Sequence, residues 1–189
     1  MTSYTREQLY DLLNRSRPLL LTGIDLSGAD LRGAKLIKAD LSEAKLIKAD
    51  LSEAKLIKAK LIKADLSEAK LIKAKLIKAD LSEAKLIRAD LSEAILSRAD
   101  LIRVDLSEAI LSRANLSRAN LSRTDLSRAD LSWADLGRAN LSSTDLSWAD
   151  LRGTDLLEAE YDQYTKWPEG FDPAEAGAIL VSSEDDDRH

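Results

Sequence analysis

Residues 39–59 read Ala-Asp-Leu-Ser-Glu-Ala-Lys-Leu-Ile-Lys-Ala-Asp-Leu-Ser-Glu-Ala-Lys-Leu-Ile-Lys-Ala, and the period of five that they set runs from Asp25 to Glu160 without a miss. Leucine occupies 27 consecutive places at that spacing, from Leu26 and Leu31 to Leu156, and Leu21 extends the phase by one. Two residues before each leucine stands a small side chain. It is Ala nearly throughout, with Ile24 opening the series and Val104, Thr124, Thr144 and Thr154 as variants. The residue between them is mostly Asp, Asn or Lys. A fixed short period marks a stack of equivalent units, so the period constrains the backbone before any motif does.

Ala, Leu, Lys and Glu all favour helix, and propensity alone would make the whole stretch α-helical. The spacing forbids it. A step of five residues carries each leucine roughly 140° round a helix axis, which leaves no apolar stripe to bury. A flat strand fails as well, because side chains alternate faces with period two and an odd step sends successive leucines to opposite sides. A chain that takes a short extended step, turns a corner and repeats sends every leucine to one axis. The expectation is an all-β solenoid with Leu and the small residue inside and three positions outside.

Charge fixes the number of corners per circuit. Basic units (Lys-Leu-Ile-Lys, or Arg last) centre on Leu36, Leu46, Leu56, Leu61, Leu71, Leu76 and Leu86, and acidic units (Asp-Leu-Ser-Glu) on Leu41, Leu51, Leu66, Leu81, Leu91 and Leu106. Stacked strands lie about 4.8 Å apart, where like charges directly opposed destabilise. A 20-residue circuit makes seven stacked pairs opposite and two alike; 15 residues gives three and seven, and 25 residues two and six. Four units per coil, a square prism, is the consistent solution.

Units such as Ala39-Asp40-Leu41-Ser42-Glu43 and Ala119-Asn120-Leu121-Ser122-Arg123 resemble the pentapeptide repeat family, whose motif is A(D/N)LXX. That resemblance implies a right-handed quadrilateral parallel β-helix. The match departs from the motif where Lys replaces Asp or Asn in the basic units, and the central position is never Phe. Trp167-Pro168-Glu169-Gly170-Phe171-Asp172-Pro173 is similar to the C-terminal ending of many cyanobacterial members. Near-identical copying from Ala39 to Arg88 is compatible with recent duplication and with consensus design alike.

The expected organisation is an N-terminal helical cap over 1–20, a repeat β-helix over 21–160, an aromatic and helical cap over 161–181 and an acidic disordered tail over 182–189. Thr5 and Gln8 have capping-box spacing, and Leu9, Leu12 and Leu13 follow at helical spacing, so a helix is expected at about 5 to 15, ended by Pro18. About seven coils follow, a rod of roughly 34 Å. Tyr161, Tyr164, Trp167 and Phe171 are expected to plug the last coil, with a brief helix from Asp172 to about Ala178. These elements are needed because a solenoid end exposes apolar side chains and unpaired strand edges.

Catalytic chemistry is not expected. The chain has no cysteine, and its one histidine, His189, lies in the tail, so neither a thiolate site nor a histidine-based acid, base or metal cluster is foreseen. Repeated outward Asp and Ser on a convex prism supply no cleft. No cofactor is implied. No segment approaches 18 apolar residues and no basic stretch precedes an apolar run, so neither a membrane span nor a secretory signal is expected, and the absence of cysteine fits a reducing, cytoplasmic setting.

Binding remains. The net charge of −5 comes from the C-terminal region, since residues 25 to 160 carry 23 basic and 23 acidic groups. Several members of the resembled family protect or inhibit DNA gyrase by presenting an acidic rod that looks like duplex DNA. The neutral body argues against that role here, which stands as the alternative to a structural or protein-interaction scaffold. On a 20-residue circuit one face sums to +6 and the other three to −2, −2 and −1. The basic face carries Lys35, Lys38, Lys55, Lys58, Lys75, Lys78, Arg98, Arg118 and Arg138, with Ile37, Ile57 and Ile77 between the charges. It is the candidate surface for an acidic protein or an anionic polymer, not for nucleic acid itself. Trp133 and Trp148 fall outward on neighbouring coils and adjacent faces and form a second candidate contact patch on a chain expected to be monomeric.

Overall fold

The computed structural model describes residues 5–14 and 18–182. Its named elements are α1 (Arg6–Leu13), β1 (Glu160–Tyr161) and β2 (Ile179–Leu180). Between α1 and β1 the chain is a continuous series of single-residue parallel bridges, each joining the residue before a leucine to its counterpart 20 positions on, as in Asp25↔Lys45, Lys75↔Ile95 and Asn140↔Glu160. Twenty residues at five per side make a four-sided circuit. No side is long enough to be a conventional strand, because a corner follows every bridge.

A single unit shows why this path is stable. Of its five backbone N–H groups, Leu41 donates to Lys60 O at 2.7 Å, Glu43 to Ile62 O at 2.8 Å and Asp40 to Leu19 O at 2.8 Å, while Ala44 closes the corner onto Leu41 O at 3.0 Å. The fifth, on Ser42, donates to Asp40 Oδ1 at 3.1 Å. The carboxylate before the leucine therefore completes the unit's donor accounting, an Asx turn at the corners that carry aspartate. The same bond forms in the asparagine units, for instance from Ser117 N–H to Asn115 Oδ1 at 3.0 Å. Lysine has no acceptor, so the basic units forgo it.

Each corner is a four-residue turn whose third residue alone has positive φ, the pattern of a type II turn. Gly23, Gly28, Gly33 and Gly153 serve there, but 24 non-glycine residues do too, from Lys38 at 57° to Trp148 at 64°. A left-handed non-glycine residue costs on the order of 1 kcal/mol. It persists because its N–H is fixed to the next coil, as Lys38 N–H is to Ile57 O at 3.0 Å.

The interior is one column. Leu26 through Leu146 are buried without exception, with the alanines between them from Ala34 onward, and α1 contributes Leu9 and Leu12 to the same apolar cluster. Threonine at the alanine place keeps its hydroxyl satisfied: Thr124 Oγ1 donates to Leu101 O at 2.6 Å and Thr144 Oγ1 to Leu121 O at 2.7 Å. That bond is what allows a polar group at 1% exposure or less.

At the N-terminal side the capping box is present, with Gln8 N–H donating to Thr5 Oγ1 at 3.2 Å and Thr5 N–H to Gln8 Oε1 at 2.9 Å. The helix ends at Leu13, short of the expected residue 15, and residues 15–17 lie outside the described part. At the other side the register slips by one residue, from Asn140↔Glu160 to Asp145↔Lys166. Tyr161 takes a leucine place in the regular register, and the slip puts Trp167 in the next one. Trp167 meets Tyr161 edge-on at 5.4 Å and stacks on Phe171 at 5.3 Å.

Two expectations here need correction. Tyr164 is 62% exposed and takes no part in the aromatic plug, because its N–H closes an Asx turn onto Asp162 Oδ1 at 3.0 Å that directs the inserted residue outward. The helix expected from Asp172 to Ala178 is a run of turn. Asp172 does cap it, accepting from Ala174 and Glu175 N–H at 2.9 and 3.2 Å, but Gly177 at φ 88° breaks the path after one turn. Beyond it β2 pairs in parallel with β1. The acidic tail lies outside the described residues from 183 onward.

Candidate functional site

The bridges Lys35↔Lys55, Lys55↔Lys75, Lys75↔Ile95, Ile95↔Asn115, Asn115↔Asp135 and Asp135↔Asp155 bring the basic face into one column. A second column on the same wall is formed by the third residues of its turns, Lys38, Lys58, Lys78, Arg98, Arg118, Arg138 and Glu158, each with positive φ. Their backbone N–H groups tie rung to rung, from Lys38 to Ile57 O at 3.0 Å through to Arg138 to Leu157 O at 2.9 Å. The side chains between the columns run Ile37, Ile57, Ile77, then Ser97, Ser117, Gly137 and Leu157. All nine sequence-derived basic residues thus share one wall, though Lys75 is the last cation of its column.

Ion pairing is sparser along this wall than along the other three. On those, four turn cations find a glutamate one circuit on, Lys48–Glu68 at 3.4 Å, Lys63–Glu83 and Lys73–Glu93 at 3.7 Å, and Arg88–Glu108 at 2.8 Å, while Arg103, Arg113, Arg123 and Arg128, whose counterparts are not glutamate, make no pair within 4.0 Å. On the basic wall such a pair occurs at Arg138–Glu158, 2.6 Å, which raises the arginine pKa and lowers the glutamate's, chiefly through the hydrogen bond between them. Lys38, Lys58, Lys78, Arg98 and Arg118 make no ion pair within 4.0 Å. Arg118 acts on Glu158 only through its longer-range charge. Five cations in single file, one rung apart, give the wall a strong positive potential.

Where the central column changes from isoleucine to serine the surface dips. An open depression of about 370 Å³ is lined by Ile77, Lys78, Ser97, Arg98, Ser117 and Arg118. The signal for it was present in the sequence as the Ile-to-Ser change, but the face sum hides a local dent.

Trp133 and Trp148 are 68% and 75% exposed and occupy turn positions with φ of 60° and 64°. They do not stand alike. Trp133 lies over Gly153 one rung on, where a Cβ would come within 2.6 Å of the indole, so the glycine makes the room. Among the described residues no group of His, Cys, Asp or Glu is arranged to hold a metal ion, and no helix is long and apolar enough to cross a membrane.

The pentapeptide repeats family (8 copies) matches residues 24–62, 49–86, 64–101, 99–138 and 119–156. Comparison with curated protein sequences gives no match. Among solved structures, HetL, a pentapeptide repeat protein involved in heterocyst differentiation regulation from the cyanobacterium Nostoc sp. strain PCC 7120, is 30% identical with a TM-score of 0.59, covering 94% of this chain and 93% of its own. The pentapeptide repeat protein alr5209 from Nostoc PCC 7120 is 43% identical with a TM-score of 0.53, over 54% of this chain and 84% of its own. Rfr23, from the cyanobacterium Cyanothece 51142, is 41% identical over 49% of this chain and 63% of its own, with a TM-score of 0.49.

Proposed function

Because the chain belongs to the pentapeptide repeat family, whose members form right-handed quadrilateral β-helices, we propose that it is a non-catalytic scaffold: a rod of about seven coils that docks an acidic protein surface along its basic wall. In this reading residues 1–20 and 161–181 close the two ends of the 21–160 body, and the chain acts as a monomer in the cytoplasm. The observation that carries the reading is the unbroken file of five unpaired cations, Lys38, Lys58, Lys78, Arg98 and Arg118, on a prism whose other walls have at most two such cations on successive rungs, Arg103 and Arg123. Trp133 and Trp148 supply a second, apolar contact.

The test is titration with polyglutamate at rising salt. The native chain is expected to bind at low salt and lose affinity as the charges are screened, since exposed charges interact over only about 10 Å at 0.1 M. Replacing the five cations with glutamine should abolish binding; equal binding by that variant overturns the reading. Light scattering on a Trp133→Ser, Trp148→Ser pair reports whether the tryptophans join two copies, and an unchanged monomer mass rules out a dimer seam there. The rival reading is a gyrase-directed inhibitor or protector, and unaltered DNA supercoiling by gyrase in the presence of the chain removes it.

A further inference from the structure

We propose that the depression between Ile77 and Arg118 is a binding site for a single tetrahedral oxyanion, a phosphate or sulfate group. It differs from the rest of the basic wall in offering hydrogen-bond donors as well as charge. Lys78, Arg98 and Arg118 line it on three successive rungs, about 4.8 Å apart. None makes an ion pair within 4.0 Å; Lys63, Lys73 and Arg88 on other walls each have a glutamate one rung on, and unpaired turn cations there, such as Arg113, do not stand three on successive rungs.

The floor supplies the donors. In most serine units the backbone N–H of the serine is taken by the Asp or Asn two residues earlier, but Ile95 stands at that place before Ser97. The Ser97 N–H and hydroxyl are therefore left without a protein acceptor, and both lie where the floor drops from Ile77. At the next rung the opposite holds. Asn115 Oδ1 accepts from both Ser117 N–H, at 3.0 Å, and Ser117 Oγ, at 2.6 Å, so Ser117 is spent internally and only shapes the wall. No carboxylate lines the depression; the first acids along this wall are Asp135, Asp155 and the already paired Glu158.

Three cations, one N–H and one hydroxyl exceed what the two oxygens of a carboxylate absorb. They match a dianion whose several oxygens accept charge-assisted bonds. Binding also relieves repulsion between cations stacked on adjacent rungs. The site is independent of the polyglutamate reading, because it rests on local donors rather than on the length of the wall.

The experiment is calorimetric titration of the full chain at low salt with inorganic phosphate, with sulfate and with a phosphoserine peptide. Arg98→Gln removes a charge and Ser97→Asp places a carboxylate among the cations. Each is expected to weaken phosphate binding about tenfold, the loss of one charge-assisted hydrogen bond. Arg113→Gln, at the same turn position on another wall, should leave it unchanged. Tighter binding of the phosphoserine peptide than of phosphate assigns the group to a protein partner, and equal binding assigns it to the free ion. No phosphate binding by the native chain, or equal losses in Arg98→Gln and Arg113→Gln, overturns the site. Polyglutamate binding retained by Ser97→Asp while phosphate binding falls separates the depression from the wall as a whole.

Discussion

Replacing Lys75 by Asn should stabilise the protein, and the increment measures what the carboxylate or amide before each leucine contributes. In the unit Ala74-Lys75-Leu76-Ile77-Lys78 the Ile77 N–H has no side-chain acceptor, whereas Ile102 N–H, in the same place of its own unit, donates to Asp100 Oδ1 at 3.3 Å. An added hydrogen bond of that kind contributes about 0.5–1 kcal/mol net. The isoleucine bond is longer than the 3.0 Å of the serine units at Asp65 and Asp80, which places it at the lower end. Removing the charge also relieves the stack of Lys75 on Lys55, contributing a few tenths more. Lys75→Gln isolates that second effect, since the longer side chain does not form an Asx turn. Urea unfolding of the three proteins reads the difference. With a slope of about 2–3 kcal/mol/M, the asparagine variant should unfold about 0.2–0.5 M later than the glutamine variant. Coincident midpoints for Asn and Gln would refute the donor accounting on which the corner was explained.

Two other outcomes follow from the same geometry. Gly153→Ala places a Cβ within 2.6 Å of the Trp133 ring at φ 69° and should cost about 1–2 kcal/mol, with Trp133→Ala restoring part of it and the Trp fluorescence reporting the displaced indole; additive losses in the double variant remove the contact. Acid should weaken the coil through the corner carboxylates. Hydrogen bonds from Ser42 hold Asp40 below its ordinary value of 3.8, and those from Arg152 do the same for Asp150. A depressed folded-state pKa gives stability that is complete above the unfolded value, near 3.9, and is lost as pH falls below it. The melting temperature is therefore expected to hold from pH 7 to about 4 and then fall, with Asp40→Asn and Asp150→Asn flattening the fall; an unaltered acid limb counts against the carboxylates as its cause.

The five-residue step and the alternation of Lys-Leu-Ile-Lys with Asp-Leu-Ser-Glu were enough to place the core leucines and the 20-residue register, because both follow from which side chains share an axis. Four of the seven opposite-charge stacks counted from sequence appear as ion pairs, each with its cation on the earlier rung. Positive φ at residues such as Lys38 and Glu43 was illegible, since nothing in a lysine or glutamate favours that conformation and the neighbouring coil imposes it. Gly28 and Gly33 were the available hint, marking the same place with a residue that adopts it freely. The Asp172-Pro173 signature was real as a cap and misleading as a helix, because Gly177 ends the path before a second turn. The depression at Ser97 depends on Ile95, Ser97 and three cations from different rungs, a juxtaposition that appears only once the coils are superimposed.

The one-residue slip between Tyr161 and Trp167 bears on polymerisation. A rod of parallel rungs ends in open backbone donors and acceptors, the kind of edge on which another copy could continue the ladder. Past the slip, any incoming chain in the ordinary register would find its inward and outward side chains out of step by one position, and the two-residue β2 already occupies part of that edge. Continuation of the ladder past this slip is thus discouraged by geometry.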